Sequence, residues 1–478
     1  MSNFNSESLK SLFYPSSIAL AGVTVDNPQH WTRTFLDSLL EFQFEGPLYL
    51  VNPRGGEIRG IKVFRSLADI PQDLDYVIST VPAKAAAGLI EECTHKGVKF
   101  VHFCTAGFSE TGEEEGARLE AQLANLSRRI GIRIIGPNCM GIYCPGSRVS
   151  FITDFPKESG PVGFISQSGG NTSGLVRRVM SRGVRFSKVI SYGNACDLNE
   201  TDFLEYLASD SETRIIGLYI EGVKDGRRFR QTLQKAAKEK PIVLLKGGST
   251  GGGARAAAGH TGALAGSEVI WDSLCKQLGI IYVHSLEELA DSLVTLRFMP
   301  APTGRRVAMI GLGGGSSVLI ADEFETKGLK VPPLPQEIRN LIGEFTPLAG
   351  NSLRNPVDSQ DVMEPEKLLR TVHIISQWEE IDFLICFLDP PSFVFSIMDG
   401  IHEILEGILV AGRMVSKPVA IVVQTDISPE GAKKAHSFMQ KCASSELPVY
   451  YSFASAANAI NLVLTHNERR LGKPLSGA

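Results

Sequence analysis

A histidine and a glutamate are the residues whose surroundings in this chain suit group transfer. His260 lies in KGGSTGGGARAAAGHTGALAGS, from Lys246 to Ser267, a stretch of small residues without a single acid. Neither helix nor strand favours that composition, which belongs where backbone approaches something closely or takes positive φ. An imidazole bedded among glycines and alanines has room for a phosphoryl group. The competing reading is a flexible connector, the commoner role of such a loop. Glu221 stands at the carboxyl end of the run RIIGLYI and is followed by Gly222. A carboxylate there could accept the imidazole Nδ1–H, set its tautomer and leave Nε2 as nucleophile. The competing reading is a solvent-facing glutamate at a strand exit.

Phosphoryl transfer needs a place for the anion, and two stretches offer one. In GPVGFISQSGGNTSGLVRRV an apolar run enters a Gly/Ser turn and then a helical pattern. Such a turn leaves backbone N–H groups and the positive end of a helix dipole pointing outward. Ser168, Gly169 and Gly170 occupy it. RRVAMIGLGGGSSVLIADEFETKG repeats the arrangement, with Gly313, Gly314 and Gly315 at the turn.

The elements that must position these groups read as an α/β chain of three modules. In the first, from about residue 10 to 147, the buried-type runs SIALAGV, PLYLVNP, YVISTVP, VKFVHFC and IRIIGPN alternate with helical patterns. That order predicts a parallel sheet with right-handed crossovers. Ligands bind such sheets at the carboxyl ends of the strands. Those ends carry Gly22 and Val23, then Asn52, Pro53 and Arg54, then Thr80, Val81 and Pro82, then Ala106 and Gly107, and finally Asn138. A second module spans about 160 to 300. The Pro-rich joint MPAPTG, from Met299 to Gly304, precedes a third. The resulting division is 1–150, 151–300 and 301–478. The polar segment from Thr346 to Gln360 reads as a functional or connecting loop.

Several classes of function are disfavoured. The first strand-to-helix turn, AGVTVDNPQHWTRTF, has one glycine rather than GxGxxG, and the second strand ends in Asn52 rather than an acid. Both count against a nicotinamide enzyme. Arg54 after that strand favours an extra phosphate on a ribose. With 478 residues, 43% hydrophobic and a formal net charge of −4, nothing electrostatic points to nucleic acid or an anionic membrane. Eight scattered cysteines without a CxxC or a zinc spacing suit a reducing compartment. The first residues lack the pattern of a signal peptide, and no apolar run reaches the ~18–20 residues of a membrane span. The expectation is a cytoplasmic protein with no metal site of its own.

The motifs VNPR, IRIIGPNCMGI, GFISQSGG, SKVISYGNACDLNETDFLEYL, YIEGVKDGRRF, GARAAAGHTGALAGS, GLGGGSSVLIAD and NPVD occur in one order over nearly the whole chain. In this the chain resembles the α subunit of NDP-forming acyl-CoA synthetases, the ADP-forming acetate–CoA ligases related to succinyl-CoA synthetase. The resemblance implies a Rossmann-like CoA-binding domain followed by two flavodoxin-like ligase domains. It implies the reaction acyl-CoA + phosphate + NDP ⇌ carboxylic acid + CoA + NTP, through an acyl phosphate and a phosphohistidine. His260 would carry the phosphoryl group and Glu221 would orient it. Ser168, Gly169 and Gly170 would cap one helix over the phosphate, and Gly313, Gly314 and Gly315 a facing one. The resemblance also implies an ATP-grasp β subunit in an α2β2 assembly, holding Mg²⁺ and ADP or GDP, because no nucleotide-binding part follows the third module. The His260 loop would then travel between sites. One departure stands out. The family's first turn has the form GASxxxGxxG, whereas Gln29, His30, Trp31, Thr32 and Arg33 occupy that region here. Either these residues narrow the space for the CoA diphosphate, or Arg33 binds it. A non-catalytic CoA- or acyl-CoA-binding regulator on the same fold is the alternative that this departure supports.

Overall fold

Short runs of β-branched and aliphatic residues with no polar alternation can be satisfied only in strands covered on both faces. The computed structural model describes residues 9–255, 267–312, 316–359, 364–388, 401–423 and 429–471, and places those runs in three sheets. The chain divides into two compact units. One comprises residues up to 177 together with 185–286; the other comprises 178–184 and 287 onward.

The first unit holds two sheets. The first contains β1 (Ile18–Ala21), β2 (Leu48–Val51), β3 (Gly56–Ile58), β4 (Ile61–Phe64), β5 (Tyr76–Ser79), β6 (Phe100–Phe103) and β7 (Arg133–Ile135), in the order β3-β4-β2-β1-β5-β6-β7. All neighbours are parallel except the hairpin β3–β4. Leaving that hairpin aside, the order reverses at β1 in the Rossmann manner, which makes the ends of β1 and β5 the switch point of this sheet. The hairpin has no counterpart in the sequence reading. Its turn places Arg59 at φ 50° and Gly60 at φ 78°, a two-residue turn whose first position is more often Asn or Asp.

The second sheet contains β8 (Gly141–Tyr143), β9 (Val162–Ser166), β10 (Phe186–Ser191), β11 (Ile215–Ile220), β12 (Ile242–Lys246) and β13 (Ile281–Val283), in the order β13-β12-β11-β9-β10-β8. Only β8 is antiparallel. The parallel part follows the flavodoxin order, with its switch point between β9 and β11. Those strands carry the Ser168 turn and Glu221.

The second unit repeats that order. β14 (Val307–Leu312), β15 (Val357–Asp358), β16 (Phe383–Leu388), β17 (Val419–Val423) and β18 (Val449–Tyr450) form an all-parallel sheet, β15-β14-β16-β17-β18. One core face joins Ala308, Ile310, Leu384 and Ile421 to Leu368, Val372 and Phe438 from the helices; the other joins Val307, Met309 and Ile385 to Phe324, Phe453 and Ile460. The fold is therefore a Rossmann-like sheet followed by two flavodoxin-like sheets. Among the described residues no helix is long and apolar enough to cross a membrane.

Candidate functional site

The switch point of the second sheet gathers ionisable groups in a dry setting. β9 and β11 pair with Tyr219 opposite Ser166, so Glu221 and Ser168 leave the sheet at the same level. Ser168 precedes the helix Gly169–Met180 and caps it: its Oγ accepts from the Asn171 N–H at 3.3 Å, and its carbonyl accepts from the Thr172 N–H at 3.0 Å. Gly169 and Gly170 are the first helical residues, whose N–H groups have no carbonyl acceptor within the helix. A Cβ on Gly169 would meet Met140 Cγ at 2.8 Å, whereas the space at Gly170 is open. The first glycine answers to packing and the second does not.

Glu221 is buried, at 5% exposure. The Tyr219 hydroxyl donates to its Oε1 at 3.0 Å. Burial first, and the neighbouring Glu221 charge next, push the Tyr219 phenol up, which keeps it a donor. Gln167, between Ser166 and Ser168, accepts with one Oε1 from the backbone N–H groups of Glu221 (2.8 Å) and Gly222 (3.1 Å). One amide thus pins the exit of β11 to the exit of β9. Lys246 ends β12 and is 4% exposed. Its Nζ donates to the Gly247 carbonyl and lies over the Trp271 ring. Burial lowers its affinity for a proton, and Glu221 and Glu268 raise it. A Cβ on Gly247 would meet the Tyr219 hydroxyl at 2.6 Å and Glu221 Cγ at 3.2 Å, so the chain leaving β12 passes directly against the carboxylate. His260, farther along that segment, lies outside the described residues, as do Gly313, Gly314 and Gly315. The strand before those glycines, β14, and the helix after them, Ser316–Thr326, are described.

The predicted ligand edge of the first sheet is built differently. Gly22 has φ 91°, and a Cβ there would meet Thr80 C and Val81 N at 2.8 Å, so only glycine lets β1 and β5 leave the sheet together. Asn52 Nδ2 donates to the Val23 carbonyl at 2.9 Å. The Thr80 hydroxyl donates to Ala21 O, and the Thr105 hydroxyl to Val81 O at 2.7 Å. Pro82 opens the turn before the helix Ala86–Thr94. Pro53 and Arg54 follow Asn52, whose side-chain oxygen accepts the Arg54 N–H at 3.0 Å; the Arg54 guanidinium forms an exposed ion pair with Asp26. Gly107, after Ala106, donates its N–H to Glu110 Oε1. Asn138, at φ 57°, donates its N–H to Thr105 O at 3.0 Å.

Arg33 does not project from the first turn. It is 7% exposed and donates from Nε to Thr24 O at 2.7 Å and from Nη2 to Val25 O at 2.9 Å. Its charge is spent on closing the turn. Trp31 stands outside, half exposed.

A polar cluster links the two edges. Asn194 Nδ2 donates to Glu110 Oε2 at 2.6 Å and Glu120 Oε2 at 2.8 Å, and Asn138 Nδ2 donates to Asn194 Oδ1 at 3.4 Å. Lys224 Nζ holds the carbonyls of Asn194 and Ala195 at 3.0 and 2.7 Å. Gln167, Tyr219, Lys246, Asn194 and Glu110 were not singled out from sequence. Gln167 stands inside the SQSGG turn and Tyr219 inside the strand leading to Glu221, so their neighbours were the available signal. No group of three or more metal-ligating side chains is found among the described residues.

A Rossmann-like sheet joined to a flavodoxin-like sheet, with a carboxylate and a helix N-terminus at the second switch point, defines a CoA-ligase class of fold. Residues 16–145 match the CoA binding domain family, and residues 159–296 match the succinyl-CoA ligase like flavodoxin domain. The chain is 39% identical over 430 residues to the α subunit of acetate–CoA ligase [ADP-forming] II of Pyrococcus furiosus, covering 89% of this chain and 92% of that one. It is 38% identical to the α subunit of enzyme I of the same organism, covering 87% and 90%. A solved dinucleotide-forming acetyl-coenzyme A synthetase 1 of Ca. Korarchaeum cryptofilum, in complex with phosphate and ADP, superimposes with a TM-score of 0.80 at 30% identity over 97% of each chain. The chain belongs to the family of α subunits of ADP-forming acetate–CoA ligases.

Proposed function

We propose that this chain is the α subunit of an NDP-forming acyl-CoA ligase working through the three domains 1–150, 151–300 and 301–478. Phosphate oxygen attacks the acyl carbonyl, the C–S bond breaks and CoA leaves as thiolate. His260 Nε2 then attacks the phosphorus of the acyl phosphate, and the carboxylate leaves. The phosphoryl group finally passes from His260 to NDP. The observation that carries this reading is Glu221, buried level with the Ser168 turn and braced by Tyr219 and Gln167. A carboxylate has roughly four lone-pair sites, so an imidazole N–H can share it with Tyr219. Its negative charge then favours the cationic ring formed during transfer.

In this reading the turn at Ser168, through the N–H groups of Gly169 and Gly170, and the turn at Gly313, Gly314 and Gly315 receive the transferred phosphoryl oxygens. CoA lies along the carboxyl edge of the first sheet, from Gly22 and Asn52 to Thr80 and Asn138. The Arg54–Asp26 pair is exposed and worth little, so Arg54 can exchange Asp26 for a ribose phosphate. A β subunit of ATP-grasp type supplies the nucleotide site and its Mg²⁺, the pair assembling as α2β2 in the cytoplasm.

The test is incubation with the β partner and γ-labelled NTP. Acid-labile, base-stable label should appear on His260 and vanish in His260→Ala. Label persisting in that variant would remove His260 from the mechanism.

A further inference from the structure

The turn after β1 carries an exposed aromatic pair to which the phosphoryl relay gives no part. Trp31 is 49% exposed, and His30 beside it is exposed as well. Their ring centroids lie 5.8 Å apart, with 34° between the ring planes. An indole left in water forgoes one of the largest burials that a side chain offers. Trp271 shows the usual outcome, at 8% exposure beside Phe229.

The pair is held, not loose. Thr32 Oγ1 accepts the Thr24 N–H at 3.2 Å, and Arg33 holds the carbonyls of Thr24 and Val25, so the end of the turn is folded back onto the exit of β1. The His30 N–H donates to Asn27 O at 3.2 Å, His30 O accepts from the Arg33 N–H at 2.9 Å, and Trp31 O accepts from the Thr34 N–H at 3.0 Å. The imidazole is fixed as well: its Nδ1 accepts the Thr32 N–H at 3.4 Å and lies 3.0 Å from Thr32 Oγ1. Asp26 of the same turn is paired with the exposed Arg54 guanidinium that follows β2. One turn, on the β1 side of the switch point, thus carries two exposed rings and tethers an exposed cation.

We propose that His30 and Trp31 form the stacking platform for the adenine ring of CoA, with Trp31 the residue that selects the adenosine end of the carrier. The inference rests on the reading of this sheet edge as the CoA site. Adenine offers two uncharged π faces, and an exposed ring whose backbone is already ordered meets one of them with little further entropy to lose. The ribose attached to that adenine bears a phosphate, the group that Arg54 takes in the proposed function. A turn without the family's glycines then holds its ligand by ring faces, not by close approach of backbone.

Intrinsic fluorescence of the full chain, titrated with CoA, adenosine 3′,5′-bisphosphate and pantetheine 4′-phosphate, tests the assignment. CoA and the bisphosphate should quench the exposed indole, and pantetheine 4′-phosphate, which lacks the adenine, should not. By calorimetry Trp31→Leu should weaken CoA and the bisphosphate about tenfold, and Trp31→Phe should recover most of that loss. Thermal unfolding confirms that both variants are folded. CoA that binds Trp31→Leu as tightly as the parent overturns the platform and leaves the CoA reading standing. Quenching by pantetheine 4′-phosphate as strong as that by CoA also overturns it, by placing the other half of the carrier on the ring. A parent chain that binds no CoA overturns both the platform and the reading beneath it.

Discussion

The carboxyl edges of the first two sheets start from the same plan and finish it with different chemistry. At the first, polar side chains are turned onto the protein's own backbone: Asn52 onto Val23, Thr80 onto Ala21, Thr105 onto Val81, Arg33 onto Thr24 and Val25. What is left to a ligand there is the backbone edge that these bonds hold in place. At the second edge a carboxyl and an amine, Glu221 and Lys246, are buried, and neutral groups, Gln167 and Tyr219, do the bracing. Bringing charges out of water is costly, and a chain that does so beside a helix N-terminus is arranged to act on charge. One edge is suited to hold a carrier by shape, the other to move an anion. The sharpest way to break that division is Glu221→Gln. It should slow phosphorylation by about 10²-fold while leaving CoA affinity alone. Rapid-quench labelling beside CoA calorimetry reads both; equal losses in both would erase the distinction.

The same contrast sets opposite pH behaviour. Glu200, 2% exposed in the first turn of the helix Glu200–Ser209, belongs to the second sheet's edge. Burial pushes its carboxyl up to about 7 from 4.5; Asp202 adds to this, while its own backbone N–H, Lys224 and Arg228 oppose it. The folded state therefore binds this proton more tightly than the unfolded chain. The contribution to stability is full below about pH 4.5 and is lost as pH rises through 7. Glu200→Gln should flatten that loss and gain on the order of 2 kcal/mol at pH 8 relative to pH 4.5. Urea midpoints at both values measure it. His102, in β6 of the first sheet, has the opposite sign. Burial pushes it down to about 4, against a hydrogen bond with Cys139 O, so its contribution is present above about pH 6.5 and lost as pH falls toward 4. A wild-type profile without these two opposed slopes would contradict the comparison.

Arg33 tests the shape side. Arg33→Met releases the carbonyls of Thr24 and Val25 and loosens the turn that precedes the helix Arg33–Glu41. CoA should bind about tenfold more weakly through lost preorganisation, and labelling of His260 by NTP should hold. Unchanged CoA affinity would free the first turn from any part in binding.

What could be read from sequence follows from range. A buried strand, a Gly/Ser turn and a helix are local patterns, so the three sheets and the Ser168 turn were legible, and Glu221 followed from its place at a strand end. Gln167 was not, because its role depends on β9 and β11 being neighbours although 54 residues separate it from Glu221. Lys246 looked like the start of a flexible loop; only the packed Trp271, on a later helix, makes it a buried cation. Arg33 invited a phosphate reading by charge, and its carbonyl partners are visible only once the turn is folded. The β3–β4 hairpin escaped because an arginine stands where the turn usually has asparagine.

The smallest expected effect separates packing from function within the Ser168 turn. At Gly169 an added methyl would meet the Met140 side chain at 2.8 Å, so Gly169→Ala should cost about 1 kcal/mol as that flexible side chain shifts. At Gly170 the methyl would enter open space, its nearest neighbour being Ser168 Oγ at 4.0 Å, and stability should stay within about 0.5 kcal/mol of the parent. The open side is also where a phosphoryl group would approach the first N–H groups of the helix. Gly170→Ala should therefore lower the phosphorylation rate with stability intact, and Gly169→Ala should do the reverse. Thermal unfolding and labelling of the two variants, side by side, decide it: a Gly170→Ala chain that labels at the parental rate would leave this turn a tight bend into a helix and nothing more.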